Sequence, residues 1–256
     1  MKNDFLILNY HSIVKSKTGL FHVDPIYTIS SDKFKLHLEL LKALKVNVIT
    51  LDELEIINAS SDFSICLTFD DGHPTDHEVV LPILNEYNFK ASFFPCLLNL
   101  KEQDDRWEKY KNLADNGHTI GSHGVTHKYL PSLNQEDQFY ELQYSKNYIE
   151  EKTGRDVTIF SLPGGKYNEK VIQLSKEIGY KRVLTTEFGL NNTNNLSFLL
   201  NRMSLKNKYS LVLLKSILKQ DSEVLRKIRL ERKVKKNINR LLGNKLTDKL
   251  NYILKL

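Results

Sequence analysis

A chain of 256 residues, 41% hydrophobic and 27% charged, has material for one good core and not clearly for two. No apolar run approaches the ~20 residues of a membrane-spanning helix, and no small-residue cleavage site follows the opening apolar run, so a cytoplasmic protein without a signal peptide is expected. The net charge of +6 belongs to the tail: residues 222–256 hold 11 Lys or Arg against 3 Asp or Glu (+8), and the other 221 residues hold 26 against 28 (−2), so the body is not marked as a nucleic-acid binder.

In chain order, "FLILN" (5–9) reads as a strand. Ser31 offers an N-cap to a helix whose Phe34, Leu38, Leu41 and Leu44 form one stripe. "VNVIT" (46–50) is a strand, followed by a short helix from Asp52. "FSICLTF" (63–69) is the clearest buried strand, a helix spans about 77–87, and "KASFFPC" (90–96) is again a strand. A helix follows over about 106–116, then the brief strand "HTIGS", and Ser132 caps a long helix running to about 152. "VTIFSL" (157–162) is a strand, Asn168 to Ile178 a helix, and "KRVLTT" and "LSFLLNRMSL" are strands. A helix over 209–219 precedes the basic tail. Strands alternating with helices of 10–15 residues predict βαβ units around a parallel sheet, and length and strand count favour closure into a (β/α) barrel. An open doubly wound sheet is the alternative, weakened by the lack of a Gly-rich loop after the first strand. The expected organisation is a body over 1–221 and a tail over 222–256. Cys66 and Cys96, each in an apolar run, are expected to be buried free thiols.

Polar residues at the carboxyl ends of barrel strands are the candidates for chemistry. "LTFDDG" (67–72) places Asp70 and Asp71 directly after a buried strand, with Gly72 for a sharp exit. Adjacent carboxylates repel unless a cation lies between them or one is protonated. "GSHGVTH" (121–127) places His123 and His127 four residues apart, a spacing that on a helical turn points both rings the same way and suits two ligands of one metal. Two His and one Asp make a three-ligand site with open positions, as in a catalytic metal centre. "FSLPGGKYN" (160–168) ends a strand in a rigid turn, Pro163, Gly164 and Gly165, that can aim backbone N–H groups at a developing oxyanion.

The order TFDDG, H-x-x-x-H and Pro-Gly turn resembles the polysaccharide deacetylase family with the NodB homology domain, over about residues 5–205. The resemblance implies a distorted (β/α) barrel of about seven strands and a metal-dependent hydrolase acting on C–N bonds other than peptide bonds. It implies Asp71, His123 and His127 as ligands of a divalent metal, zinc above all, and Asp70 as general base. The family's late Leu-x-His motif is missing, since no His follows His127. Ser161 stands where the family has an Arg, Gly164 replaces an aromatic residue, and no Asp-x-x-Asp-Trp motif occurs. The opening "LILNYHSI" resembles the circularly permuted branch acting on poly-N-acetylglucosamine, in which an amino-terminal His replaces the late one. That makes His11 the general acid, and Arg202, at another strand end, the candidate to tune Asp70.

The expected activity is removal of acetyl groups from N- or O-acetylated sugars of a glycan or glycan precursor, lipid-linked sugars included. The alternatives are an inactive glycan-binding protein of the same fold, or a metal amidase on a non-sugar N-acyl compound. His73, beside the paired aspartates, is a candidate substrate contact; Pro74 at a first helical position keeps it from pairing with His77, which reads as a surface residue. His118 is expected to pack within a strand, His22 and His37 to be structural, and Trp107 to be packed. Leu225, Ile228, Val234, Ile238 and Leu241 recur near helical spacing among Lys and Arg, and Gly243 is a break. That pattern raises two readings of the tail: peripheral contact with an anionic inner membrane surface, or a helix packed on the barrel.

Overall fold

The computed structural model describes residues 3–15, 24–55, 63–100 and 104–242, save the side chains of residues 55, 104 and 235–242. His22 and Gly243 lie outside the described residues. The chain divides into two compact units, Met1–Tyr209 and Ser210–Leu256.

The described strands of the first unit are β1 (Asp4–Tyr10), β2 (Ile13–Val14), β3 (Ile29–Ser30), β4 (Asn47–Ile49), β5 (Ser64–Asp71), β6 (Ser92–Pro95), β7 (Thr119–Ile120), β8 (Ile159–Ser161), β9 (Arg182–Leu184), β10 (Asn191–Asn192), β11 (Leu199–Leu200) and β12 (Arg202–Ser204). One sheet runs β10-β1-β5-β6-β7, with β12 also on β1 and β4 also on β5; a second runs β11-β9-β8; β2 and β3 pair by themselves. All of these ladders are parallel except β1 with β10. A bridge between Ser122 and Phe160 joins β7's continuation to β8. The barrel expected from the sequence is not a closed ladder among the described residues. "LSFLLNRMSL" is two strands, not one: β11 pairs with β9 and β12 with β1, Asn201 lies between them, and the Arg202 amide donates to the Glu187 carbonyl at 2.9 Å.

Period-two alternation explains what each strand does. Phe5 and Ile7 of β1, Cys66 of β5, Phe94, Ile159, Leu184 and Leu200 form one apolar cluster closed by Leu51 and Leu54. The next positions inward on the same faces are polar: Asn9, Thr68, Asp70, Ser161 and Arg202, all buried. The opposite faces carry Tyr10, Phe69 and Phe93, ring upon ring, with Phe34 set edge-on against Tyr10 and Phe69. Phe34 belongs to helix α1 (Ser31–Ala43), whose Leu38 and Leu41 are buried on the same stripe.

Two caps differ from expectation. Ser30, extended at φ −70° and ψ 149°, accepts the Lys33 amide, so Ser31 is the first helical residue instead. The long helix is capped by Asn134, which accepts the Asp137 amide, because Leu130–Ser132 form a separate 3-10 turn. That helix runs Gln135–Phe139, then a π turn over Tyr140–Tyr144, then Ser145–Thr153. Cys66 and Cys96 are buried and free. The second unit contains helices Leu211–Leu218 and Ser222–Leu242, the latter exposing Leu230 (61%) and Val234 (50%).

Candidate metal centre and active site

β5 carries its two aspartates within the strand itself. Asp71 takes φ 79° and Gly72 φ 73°, so the chain leaves the sheet sharply. A left-handed non-glycine residue is strained, and such strain concentrates at functional sites. Here it is held by the Asp71 carbonyl, which accepts from Asn99 Nδ2 at 2.9 Å and from the Cys96 amide at 3.4 Å. The turn lets consecutive residues serve different places: Asp70 faces the interior, and Asp71 faces the histidines.

His123 and His127 are not on a helix. Gly124 at φ 81° breaks helical continuation, and His127 itself lies at φ 60°. The loop instead folds back so that the two rings meet at 4.9 Å between centroids. His123 Nε2 is 3.4 Å and His127 Nε2 3.2 Å from Asp71 Oδ1, and one ligand atom from each of the three residues lies within 4.8 Å of the others. His123 Nδ1 is 2.7 Å from the Ser161 carbonyl, which can only accept, so Nδ1 carries the proton and the neutral ring presents a lone pair at Nε2. Asp71 Oδ1 is buried without a hydrogen-bond partner. Opposed lone pairs are unfavourable by themselves and become favourable around a cation; the donor set and spacing fit a divalent metal. Without a cation, burial raises the Asp71 carboxyl, but N–H donation from the His123 and His127 rings and the positive charge of His123 pull it well below the ordinary carboxylate range. Burial lowers His123, and the Asp70 and Asp71 carboxylates more than offset that.

Asp70 is 2% exposed and fully engaged. Oδ1 accepts from Arg202 Nη1 at 2.9 Å; Oδ2 accepts from Arg202 Nη2 at 2.9 Å and from Asn9 Nδ2 at 3.1 Å. The Ser161 hydroxyl, 3.1 Å from both oxygens, is also 2.9 Å from Arg202 Nη2. Burial opposes ionisation, but the Arg202 charge overcomes it and holds the Asp70 carboxyl below its ordinary range. Arg202 is therefore brought to Asp70 from the last strand of the unit, and Ser161, a departure from the family pattern, completes the cradle. Asn9 and Thr68 complete the polar layer, the Thr68 hydroxyl donating to the Asn9 side-chain oxygen at 3.1 Å. Sequence reasoning does not single these two out; their one signal is polarity within otherwise apolar strands.

His11 follows β1, whose register with β5 pairs Asn9 with Thr68 and Tyr10 with Phe69, so His11 comes just past the strand at the level of Asp70. Its ring packs on Tyr27 at 4.7 Å, and its Nδ1 is buried without a partner. Burial lowers its pKa, and the Asp71 and Asp70 charges act against that. Pro163 is buried, and Gly164 (φ 60°) underlies the Tyr129 ring, where a Cβ would lie 2.5 Å from Tyr129 Cε1. His73 is next to Gly72 with Nδ1 2.8 Å from Thr75 Oγ1. His77 is not the surface residue expected: both ring nitrogens are buried, and the ring meets Tyr110 edge-on at 4.7 Å. His37 accepts or donates to Tyr10 Oη at 3.1 Å, and Trp107 is 3% exposed.

The α/β unit thus gathers an Asp–His–His cluster and a second, arginine-held carboxylate at its strand ends, a candidate metal centre. Residues 58–183 match the polysaccharide deacetylase family model, so the chain carries a domain of that family. Peptidoglycan-N-acetylglucosamine deacetylase of Bacillus cereus is 33% identical over 121 residues, 47% of this chain and 55% of its own length. YxkH of Bacillus subtilis (strain 168) is 27% identical over 188 residues, 72% of this chain and 64% of its own length. The chain thus spans less than two thirds of either relative. Poly-beta-1,6-N-acetyl-D-glucosamine N-deacetylase of Staphylococcus epidermidis is 24% identical over 215 residues, 73% of each chain. Among solved structures, the Streptococcus pyogenes deacetylase PplD in complex with acetate has the same fold, with TM-score 0.72 and 23% identity over 86% of this chain and 98% of that one.

Proposed function

We propose that this chain is a metal-dependent hydrolase that removes acetyl groups from N-acetylated sugars of a glycan. The observation that carries the reading is the convergence of Asp71 Oδ1, His123 Nε2 and His127 Nε2 beside a second carboxylate, Asp70. Family membership supports deacetylation, and the named activities of the relatives support an N-acetylated glycan as substrate. A divalent cation held by the three residues, zinc by the character of the donors, supplies a Lewis acid for the acetyl carbonyl and acidifies water.

The chain's own groups supply the rest. Asp70, kept ionised by Arg202, takes the proton of the attacking water. The Gly164 N–H favours negative charge on the carbonyl oxygen, since Pro163 has no N–H and that of Gly165 is donated to the Leu162 carbonyl at 2.8 Å. As the C–N bond breaks, His11 gives its N–H proton to the departing nitrogen; acetate and the free amine of the sugar are the products. His73, at the exit of β5, is assigned to the sugar.

The test is acetate release from N-acetylglucosamine oligomers together with zinc content, before and after stripping with chelator. The expected result is one zinc per chain, activity lost with the metal and regained with it. Acetate release at full rate from metal-free protein, or none from any N-acetylated glycan by zinc-loaded protein, would sink the reading.

A further inference from the structure

Glu141 is buried at 3% exposure and far from either histidine in sequence, yet it holds the loop between them. Its Oε2 accepts the Val125 amide at 2.7 Å, both its oxygens accept the Thr126 amide at 3.0 and 3.2 Å, and the Thr126 hydroxyl donates to Oε1. The loop's carbonyls are taken from the other side: Gly124 O accepts the Leu97 amide at 3.1 Å and Val125 O the Leu98 amide at 2.8 Å. Gly124 lies so close that a Cβ there would be 2.8 Å from Glu141 Oε2, so glycine is required for the carboxyl group to approach. The Glu141 backbone carbonyl in turn accepts from the Ser145 hydroxyl at 2.5 Å, and that hydroxyl meets Ser122 Oγ at 2.7 Å, tying the π turn to the residue before His123. Such turns inside helices recur at functional sites.

The two histidines differ in how they are held. His123 is buried, with its Nδ1 fixed by the Ser161 carbonyl and its amide by the Pro95 carbonyl. His127 is 43% exposed in its side chain, and among the described residues its ring makes no polar contact besides Asp71. It also sits at φ 60°, where a β-carbon is unfavourable. Its direction is therefore set by the backbone just before it, at Val125 and Thr126.

We propose that Glu141 is a positioning residue for the metal centre: by capturing the Val125 and Thr126 amides it orders the His123–His127 loop and aims His127 at the cation. This rests on the metal reading above. The chemistry is that of a buried carboxyl group outside the ligand set, whose loss lowers metal affinity while leaving every ligand in place.

The experiment measures zinc affinity by competition with a chromogenic chelator for wild type, Glu141→Gln and Glu141→Asp, and amide exchange of Val125 and Thr126 in metal-free protein. Glu141→Gln is expected to weaken zinc about 10- to 100-fold, with Glu141→Asp in between, and to speed exchange at the two amides. Thr126→Val, which removes one donor and keeps the carboxyl group, reads the same coupling in milder form should Glu141→Gln not fold. Wild-type zinc affinity in Glu141→Gln or, where that variant does not fold, in Thr126→Val, overturns the assignment while leaving the metal reading intact. A wild-type protein that takes up no zinc removes the metal reading, and this one with it.

Discussion

The Arg202 guanidinium meets the Asp70 carboxylate fork to fork, Nη1 to Oδ1 and Nη2 to Oδ2 at 2.9 Å each, with both side chains out of water. The two residues lie 132 positions apart, on strands flanking β1 from either side. A buried pair of this kind adds little over an apolar pair, but removing one partner strands a charge and costs about 3–5 kcal/mol. Arg202→Met is expected to lose that much in urea denaturation. Arg202→Lys keeps the charge but not the fork, and should lose an intermediate amount. An unchanged midpoint in Arg202→Met would mean that Asp70 takes up a proton at no cost.

Asp70→Asn is expected to keep zinc and to lower acetate release by about 100-fold or more, the usual effect of removing a general base. The carboxamide retains an oxygen for one arm of Arg202 but strands its charge, so the urea midpoint is read beside turnover to show that the protein is folded. Zinc content and turnover are read on the same sample. Near-normal turnover with zinc retained assigns the base elsewhere.

The site was legible in the sequence wherever residue type and spacing speak together. Asp70–Asp71 after an apolar run and the histidine pair after a small strand are such places. What the spacing could not reveal is how His123 and His127 converge. Four residues apart suggests a helical turn, but Gly124 at φ 81° and a carboxyl group from another element set the geometry. Glu141 is one of several acidic residues on a helix and carries no local mark of its role. Ser161 and Asn9 read as ordinary strand polarity until the strands are placed side by side. The helix caps shifted for a similar reason: Ser30 and Ser31 are chemically equivalent caps, and pairing of Ile29–Ser30 with β2 decides between them.

His127→Ala and His123→Ala are each expected to abolish tight zinc binding, because two protein ligands rarely hold the metal. His127 is the better test, since it is half-exposed and the fold does not depend on its ring. Zinc content by atomic absorption after dialysis is the measurement. Full occupancy in the His127→Ala protein would remove that residue from the ligand set.

Stability should fall in mild acid. Burial lowers His37, His77 and His118 to about 4 each, aided by Lys33 beside His37, Lys109 and Arg106 beside His77, and Lys90 beside His118. His118 Nδ1 accepts the Ala91 amide at 3.1 Å, which fixes the neutral form. With folded pKa values below the unfolded 6.5, the unfolded chain binds more protons, so stability is complete above about 6.5 and drains away as pH falls toward 4. Each tenfold difference in proton affinity between the folded and unfolded chain is worth about 1.4 kcal/mol, so the three histidines together can remove several kcal/mol. Urea midpoints of metal-free protein from pH 7.5 to 4.5 check this, with His37→Gln and His118→Asn expected to flatten the slope. A midpoint independent of pH over that range would contradict it.

His11 is expected to act on the leaving group, and position is the first argument. It follows β1 directly, and the register that sets Tyr10 against Phe69 brings it to the level of Asp70. Chemistry is the second: amide hydrolysis needs a proton at nitrogen before the C–N bond breaks, whereas an ester with a good leaving group does not. Among the described histidines that are not assigned to the metal, His37, His77 and His118 are packed into the fold and His73 is turned to Thr75. Burial makes the His11 imidazolium a stronger acid than usual, with the Asp71 and Asp70 charges restraining the shift. His11→Ala should therefore keep zinc and the urea midpoint near wild type. It should lower acetate release from N-acetylglucosamine oligomers by about 100-fold or more, and hydrolyse 4-nitrophenyl acetate at a rate much closer to wild type. Equal losses on both substrates would mean that His11 organises the site rather than donating a proton, and equal retention on both would remove it from the mechanism.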